Sequence, residues 1–424
     1  MERSLRTIGF FLLFLGCVGI APVLATDYYV SAINGSDVTG DGTQGNPLKS
    51  LTYAINNLAF GYGDILHAGP GVYDAANGEG YPIIVPFGVT LLGDDPRFVI
   101  IDGGGPGSSS WSVVRLSESA AIQKVTITGS TDGWWDGGLY LGWGTTGAHA
   151  ALVEDCIITG NERGVWGFEL DTILVRNCMF ANNRNDAVSF FDSIDLTIIN
   201  NSFYGNLKGV ILAGNAGSAG EIWNNVISTS GQAGIETNSS DWVIADYNCV
   251  WNCNPNYSGI SPGTHDINVD PIIPFGGWND LHLASFSPCI DNADPGHSEA
   301  PDFDMFGKDR NTGAGMDRGA VEAVYRECYA MGLPHAGEVI TINLIGRPAD
   351  WWLLLVSPYT GSYSTPYGQM LVGIPFWILG SGTMGGPGAI GLQATMPPGL
   401  AGLTAYFQAI IGTQFSNRYD MAIF

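Results

Sequence analysis

The chain has 424 residues and combines 60 glycines with a charged fraction of only 13%, a composition that disfavours a solvated bundle of helices. Its 40 acidic and 16 basic residues give a formal net charge of −24. Because a surface that binds nucleic acid must be positive, this balance argues against DNA or RNA as a partner.

The first 25 residues have the pattern of a secretory signal peptide. Arg3 and Arg6 precede an apolar run over residues 8–20, and a small residue, Ala25, stands where cleavage is expected. The run is too short to cross a bilayer as a helix, and no later stretch is long and apolar enough to do so. We therefore predict an exported protein, secreted or held at the cell surface, without a transmembrane segment.

A short helix is predicted next. Leu48, Leu51, Ile55 and Leu58 recur at helical spacing, which predicts an amphipathic helix over residues 48–60. We expect this helix to cap the structure that follows, because open sheet edges invite aggregation.

Between residues 150 and 253 the chain repeats every 22 to 24 residues, in segments that begin at Asp155, Asn177, Asn200, Asn224 and Tyr247. One such unit cannot bury its own apolar face, so the units must stack. The Leu-rich consensus of helical leucine-rich repeats is missing. We predict an all-β right-handed parallel β-helix of about a dozen coils, whose turns stack Asn side chains as amide ladders.

The remaining chain has two parts. The Pro- and Asp-rich stretch 262–325 is weakly periodic, and we expect it to finish the far end of the rod. After Arg326, charged residues become rare and short apolar runs such as 351–356 alternate with Gly/Pro turns, which predicts a small C-terminal antiparallel β-sandwich. The predicted organisation is a signal peptide (1–25), a β-helix domain with N-terminal cap and terminal coil (26–325) and a sandwich module (326–424).

Parts of the sequence resemble secreted bacterial β-helix proteins. The segments 28–31, 34–37, 46–51 and 70–73 are similar to the N-terminal cap and first coils of pectate-lyase-like proteins. The segments 269–271, 281–283, 287–291, 302–304 and 317–320 resemble the terminal coil of choice-of-anchor Q proteins. The resemblance implies an exported right-handed parallel β-helix. It implies no reaction, because lyases, hydrolases, epimerases and adhesins share this fold.

An aromatic and acidic loop at residues 132–143 interrupts the repeat. Sugar rings stack on aromatic faces and their hydroxyls bond to carboxylates, so this loop predicts a carbohydrate-binding platform. Its aromatic members are Trp134, Trp135, Tyr140 and Trp143. Asp132 and Asp136 are the paired carboxylates that could cleave a glycosidic bond. Alternatively, the loop buries its own aromatic rings against the rod.

A group of basic residues is the second candidate for carbohydrate binding. Arg163 and Lys208 occupy the same turn position two coils apart, and Arg184 lies one place earlier in the coil between them. Such cations could hold a uronate carboxylate while a base removes the adjacent proton. Alternatively, Glu162 and Asp186 neutralise them in ordinary surface ion pairs.

Calcium is the only cofactor that the sequence indicates. Asp37 and Asp41 begin like a calcium loop, and Asp302 and Asp304 form a second oxygen-rich turn. Leu48 stands where the closing Glu of the first loop should be. Asx turns explain both segments equally well.

Six cysteines follow the signal peptide, and export permits disulfides. Cys156 and Cys178 share a register in adjacent coils, which fits either a disulfide or a stacked pair of thiols. We expect Cys289 to pair with Cys253 or Cys328 near the end of the rod.

Three functions fit these observations. The first is an exported β-helix protein that engages extracellular polysaccharide without evident catalysis. The second is a carbohydrate-active enzyme, a lyase, epimerase or glycoside hydrolase, acting on an acidic glycan. The third is a structural or adhesive surface rod.

Overall fold

The architecture is known from a computed structural model that describes residues 25–104, 112–130, 133, 136–142, 150–213, 218–238, 242–276, 280–335 and 337–424. Apart from Ala25, the predicted signal peptide lies outside these residues. Nowhere in the described ranges is there a helix with the length and apolar character needed to span a membrane.

Short strands wind through the chain from residue 27 to residue 258. They are β1 (Asp27–Val30), β2 (Ile65–Ala68), β3 (Gly71–Tyr73), β4 (Ile83–Val85), β5 (Thr90–Gly93), β6 (Val99–Asp102), β7 (Ser112–Leu116), β8 (Ala120–Gln123), β9 (Thr126–Thr128), β10 (Gly137–Leu141), β11 (Ala150–Glu154), β12 (Ile157–Thr159), β13 (Val165–Phe168), β14 (Thr172–Arg176), β15 (Met179–Ala181), β16 (Asp186–Phe191), β17 (Leu196–Ile199), β18 (Ser202–Tyr204), β19 (Lys208–Ala213), β20 (Ala219–Trp223), β21 (Val226–Ser228), β22 (Ile235–Thr237), β23 (Trp242–Asp246), β24 (Cys249–Trp251) and β25 (Tyr257–Ser258).

These strands form three parallel sheets, and from β2 onward each sheet takes every third strand of the chain. Sheet A has the order β1-β2-β5-β8-β11-β14-β17-β20-β23, sheet B the order β4-β7-β10-β13-β16-β19-β22-β25, and sheet C the order β3-β6-β9-β12-β15-β18-β21-β24. This winding confirms the predicted parallel β-helix. The longest sheet has nine strands among the described residues, so the rod there is shorter than the predicted dozen coils.

Inward-facing apolar side chains stack along the rod. In sheet A, Val153, Val175, Ile198 and Ile222 occupy one register and are fully buried. Between coils of sheet C, the rings of Phe180 and Phe203 stack at 4.8 Å. Each coil therefore completes the core of its neighbours, and a single coil would leave its apolar face open to water.

Two asparagine ladders hold the turns, as predicted. In the turn between sheets A and C, each Asn accepts from the backbone N–H one coil earlier, with Oδ1 distances of 2.9 Å for Asn201 to Cys178, 2.9 Å for Asn225 to Asn201 and 3.0 Å for Asn248 to Asn225. A second ladder through Asn161, Asn183 and Asn206 joins sheets C and B. These amides satisfy backbone groups that the fold buries.

The N-terminal helix α1 (Leu51–Asn57) is shorter than the predicted span 48–60. Its N-terminus is capped by Ser50, whose hydroxyl accepts from Tyr53 N at 3.2 Å. Leu48 lies before this cap and forms a parallel bridge with Val30 instead. The helical spacing of apolar residues therefore included Leu48, which pairs with a strand and is not part of the helix.

The stretch 262–325, called the flank segment below, starts at the predicted end of the rod, where Ile267 forms a parallel bridge with Cys249, but most of it lies elsewhere. It runs back along the rod from the last coil and covers the outer face of sheet C. Arg318 donates to Asn248 O at 2.7 Å, Asn224 donates to Asp294 O at 2.9 Å, and Asn177 donates to Phe303 O at 2.8 Å. Apolar residues of the flank segment, including Leu281, Met305 and Val321, pack on Ile157 and Met179.

The C-terminal strands are antiparallel, as predicted for a sandwich. They are β26 (Glu327–Met331), β27 (Val339–Ile345), β28 (Trp351–Ser357), β29 (Thr360–Thr365), β30 (Gly368–Val372), β31 (Trp377–Thr383), β32 (Ala389–Thr395), β33 (Thr404–Ile411) and β34 (Gln414–Ala422). They form the sheets β26-β27-β32 and β31-β28-β33-β34 and the hairpin β29-β30. One apolar core, including Leu344, Leu354 and Ala409, fills the space between the two larger sheets.

The six cysteines of the described residues are free thiols. Cys156 and Cys178 are buried in adjacent coils, the arrangement of stacked thiols. Cys289 shares its apolar cluster with Cys249 and not with Cys253 or Cys328. The predicted partners were wrong because the flank segment returns along sheet C, where Cys249 lies.

Candidate functional site

A column of charged residues opens the strands of sheet B. The registers Val165↔Val188 and Val188↔Val210 place Arg163, Asp186 and Lys208 at one position in three successive coils. The predicted alignment put Arg184 beside this column. That alignment was wrong by one residue, because Val165 pairs with Val188 and not with Ala187. The middle member of the column is therefore an acid.

The column alternates in sign and its charges are paired. Arg163 Nε lies 3.7 Å from Asp186 Oδ2, and Lys208 Nζ lies 2.8 Å from Glu236 Oε2. Burial raises the pKa of Asp186 above its usual range, although Arg163 and Lys208 act in the opposite direction. Of the two acids expected to neutralise the cations at the surface, Asp186 pairs with Arg163, but both residues are buried. Glu162 instead accepts from Asn185 Nδ2 at 2.8 Å.

Aromatic rings continue from the charged column along sheet B. Tyr140 contacts Trp166 with ring centroids 4.4 Å apart, and Phe168 stacks on Phe191 at 5.1 Å. Trp166 joins the two pairs, because it lies 5.7 Å from Phe168. The guanidinium of Arg163 lies 5.7 Å from the Trp166 ring. Parallel pairing places Tyr140 beside Trp166 and Phe168 beside Phe191, and Trp166 and Phe168 lie two residues apart on one face of β13. These four rings are called the aromatic row below.

The charged column and two rings of the aromatic row, Phe168 and Phe191, line one groove, called the sheet B groove below. Its volume is about 600 Å³, and its lining includes Arg163, Asp186, Lys208, Phe168 and Phe191. Asp186 and Phe191 lie at opposite ends of β16, roughly 16 Å apart along an extended strand. The groove can therefore offer charged partners at one end and apolar ring faces at the other.

The other predicted carbohydrate ligands fall into three groups. Tyr140 belongs to the aromatic row, whereas Arg184 is exposed and does not line the groove. Asp136 is buried, and its carboxylate accepts from Gly133 N at 2.9 Å within the same turn. Outside the described residues lie Asp132, Trp134, Trp135 and Trp143.

The carboxylates predicted to hold calcium bond mainly to their own loops. Asp37 Oδ1 accepts from Lys49 N at 2.8 Å, and Asp41 Oδ1 accepts from Thr43 N at 3.0 Å. Asp304 accepts from three backbone N–H groups, and Asp302 is exposed. Across the described part of the chain, no three acidic, His or Cys residues cluster as a metal site would require. Asp41 and Asp304 each accept from the backbone N–H two residues further on, as the Asx-turn alternative predicts, whereas Asp37 accepts from Lys49 and Ser50, 12 and 13 residues away.

Three aromatic residues of this region were not predicted from the sequence. Phe168 and Phe191 line the groove and Trp166 contacts Phe168, and all three follow the openings of the sheet B strands. Aligning the strands by their buried valines, Val165, Val188 and Val210, would have revealed the column correctly. The turn before β16 holds one more residue than the alignment assumed, which hid this register.

Comparisons with known proteins agree with the fold. A family model described as a right handed beta helix region matches residues 112–270, and one described as a protein of unknown function (DUF1565) matches residues 33–130. No curated protein matches the chain. Among solved structures, the chain is similar to the A-module of a mannuronan C-5 epimerase from Azotobacter vinelandii, with 15% identity and a TM-score of 0.31 over 49% of this chain and 71% of that chain. The fold is that of a right-handed parallel β-helix.

Proposed function

We propose that the sheet B groove binds an extracellular polysaccharide. The observation that carries this proposal is the meeting of paired charges and stacked aromatic rings in one open groove of about 600 Å³. Ligand sites usually combine apolar contact surface with a few polar groups that fix orientation. Sugar rings need this combination, because they present C–H faces and hydroxyls together.

The charges of the groove favour recognition of hydroxyls. Arg163 is paired with Asp186, and Lys208 with Glu236, so each cation has a neighbouring carboxylate. Such pairs offer donors and acceptors side by side without a large net charge. Phe168 and Phe191 supply the ring faces at the other end of β16.

Export is part of the same proposal. The predicted signal peptide at residues 1–25 and the resemblance to secreted pectate-lyase-like and choice-of-anchor Q proteins support it. An N-terminal sequence of the exported protein that begins near Thr26 would agree with this location. A retained N-terminal Met1 would contradict it.

Replacing Phe168 and Phe191 together by Ala tests the groove. Each aromatic contact is worth about 1 kcal/mol, so we expect polysaccharide affinity to fall roughly tenfold or more. A panel of neutral and uronate polysaccharides, measured by calorimetry with purified mature protein, first identifies the ligand.

The matched control is the double substitution Phe87→Ala and Phe376→Ala, which removes two exposed rings elsewhere. This control should bind like the parent. If the groove variant also keeps its affinity while remaining folded, the polysaccharide does not lie on these rings. If no glycan in the panel binds, a structural rod becomes the better description.

A second candidate function is a lyase or epimerase acting on a uronate polymer. The observation that favours it is the buried position of Asp186 in a column between Arg163 and Lys208. Burial keeps its pKa above the usual range, which suits a base that must collect a proton. The neighbouring cations could hold the substrate carboxylate.

This candidate predicts turnover that Asp186→Asn abolishes. Loss of a general base lowers the rate roughly 100-fold or more. For a lyase the readout is ultraviolet absorbance from an unsaturated uronate product, and for an epimerase it is deuterium uptake at the ring carbon. If the parent protein gives neither signal on a polymer that it binds, the groove is a binding site without catalysis.

A further inference from the structure

A second cavity lies at the turn between sheets A and C, between the rod and residues 300–307 of the flank segment. We call it the flank cavity. Its volume is about 570 Å³, and its lining includes Lys124, Glu154, Asp155, Arg176, Asn177 and Asp302. Its lining shares no residue with that of the sheet B groove.

The cavity lies beside a column of turn residues with a left-handed backbone conformation, at the point where the residue type changes from Asn to Asp and Lys. Lys124, Asp155, Asn177, Asn200 and Asn224 have positive φ near +55° at the same turn in five successive coils. The three asparagines bond to the flank segment, for example Asn177 to Phe303 O and Asn200 to Asp317 O. Among the described residues, the flank segment makes no such hydrogen bond to Lys124 or Asp155, and their side chains line the cavity.

Lys124 is an unusual residue for this turn. Its φ is +57°, a conformation that Asn tolerates better than a long side chain does. Within the described ranges, its ammonium has neither an ion pair nor a hydrogen bond. Residues held in a strained backbone conformation cluster at functional sites.

The other lining charges are mostly satisfied inside the protein. Arg176 Nε donates to Glu154 Oε1 at 2.6 Å, and Gln123 Nε2 donates to Glu154 Oε2 at 2.6 Å. Asp304 accepts backbone N–H groups of its own turn and of Glu322. Asp302 is exposed at the rim. Among the described lining residues, Lys124 is thus the cation that makes no hydrogen bond or ion pair, and its side chain is half-buried.

Asp155 adds a proton-dependent group beside this ammonium. Burial and the charge of Glu154 raise its pKa to about 7, while Asn177 and Lys124 act in the opposite direction and Asp304 adds to the rise. Below about pH 7, the carboxyl is therefore mostly a neutral donor and acceptor. In that state it does not compete with an anion for Lys124.

We propose that the flank cavity binds a small sugar acid, with the ligand carboxylate on Lys124 and its hydroxyls on Asp155 and Gln123. A cavity of this volume is typical for a small ligand. The amide and carboxyl groups match the hydroxyls, and the single unpaired ammonium matches one carboxylate. This site is independent of the polysaccharide groove on sheet B.

The test measures binding of D-glucuronate to the full chain by calorimetry, with D-glucose and inorganic phosphate as comparison ligands. Lys124→Asn places in the turn the residue that three other coils use, so the variant should be at least as stable as the parent. We expect its affinity for D-glucuronate to fall at least tenfold, the usual effect of losing a charged hydrogen bond.

The matched control is Lys49→Asn, which removes the same charge away from the cavity. It should bind D-glucuronate like the parent. The parent's affinity should decrease from about pH 5.5 to about pH 8, because Asp155 ionises and its negative charge then faces the ligand. Asp155→Asn should remove most of this pH dependence.

The proposal is overturned if the parent does not bind D-glucuronate, or if Lys124→Asn binds it as well as the parent. Equal affinity for D-glucose or for inorganic phosphate would also overturn it, because the site would then recognise no sugar acid. Polysaccharide binding by Lys124→Asn should equal that of the parent. Failure of one site is therefore distinguishable from failure of the other.

Discussion

The substitution Asn225→Ala is expected to destabilise the protein by about 3 to 5 kcal/mol. Asn225 Oδ1 accepts from Asn201 N at 2.9 Å, and its Nδ2 donates to Ile198 O at 2.8 Å and to Asn248 Oδ1 at 3.0 Å. All of these groups are buried, so the alanine would leave donors and acceptors without water to replace the amide. Each buried orphan group costs about 1 to 3 kcal/mol.

Denaturation by urea, followed by fluorescence, measures this loss. The matched control is Asn57→Ala, which removes an exposed amide that makes a single hydrogen bond to Tyr53 O in α1. We expect the control to change stability by less than about 1 kcal/mol. Similar midpoints for Asn225→Ala and Asn57→Ala would mean that the ladder contributes little and that apolar stacking alone holds the coils.

The second large effect is expected for Arg310→Leu. Arg310 is fully buried between the rod and the flank segment, where Nη2 donates to Asn177 Oδ1 at 2.6 Å and to Gly319 O at 2.9 Å. Nη1 lies 3.7 Å from Glu322 Oε2. Removing one partner of a buried pair typically costs about 3 to 5 kcal/mol, because the remaining charge stays buried.

The cost of Arg310→Leu should depend on pH. Burial raises the pKa of Asp317 to about 6 and that of Glu322 to about 8, and Arg310 opposes both shifts. The folded protein therefore binds these protons more tightly than the unfolded chain, so their contribution to stability is present near pH 4 and is lost as the pH rises through 6 to 8. Without Arg310 these pKa values rise further, and stability falls more steeply over that window.

Unfolding midpoints at about pH 5.5 and about pH 8 test this expectation. The variant should lie closer to the parent at the lower pH. Arg418→Ala is the control, because Arg418 is partly exposed and pairs only with Asp420 at the surface of the C-terminal sandwich. A pH-independent difference between parent and Arg310→Leu would mean that the acids near Arg310 do not sense its charge.

The repeat was enough to predict the winding of the chain, but the register of sheet B required the structure. The repeat predicted from the sequence places Asp155, Asn177 and Asn200 at equivalent positions, and in the structure these three residues occupy the same turn of successive coils. The turns that precede the strands of sheet B differ in length. An alignment that used Gly164 and Gly209 as reference positions therefore shifted the coil of Arg184 by one residue. The correct register differs from the predicted one by a single residue. It places Asp186, and not a basic residue, between Arg163 and Lys208, so the column alternates in sign.

The flank segment was the larger surprise. The sequence of sheet C carries a clue, because Ile157 and Ile158 are both apolar although they face opposite sides of the sheet. A strand that is apolar on both faces needs a cover as well as a core. Periodicity does not say which segment supplies that cover, and residues 262–325 have little periodicity of their own.

By itself, the sequence determined the coil, the amide ladders and the antiparallel C-terminal strands, because each depends on a local pattern repeated at a fixed interval. Only the tertiary structure decided which charges meet in the sheet B groove. The same holds for which turn residues bond to the flank segment and which line the flank cavity. Those contacts join residues far apart in the chain, such as Asn177 and Arg310. Packing between segments selects such partners, and no local spacing encodes them.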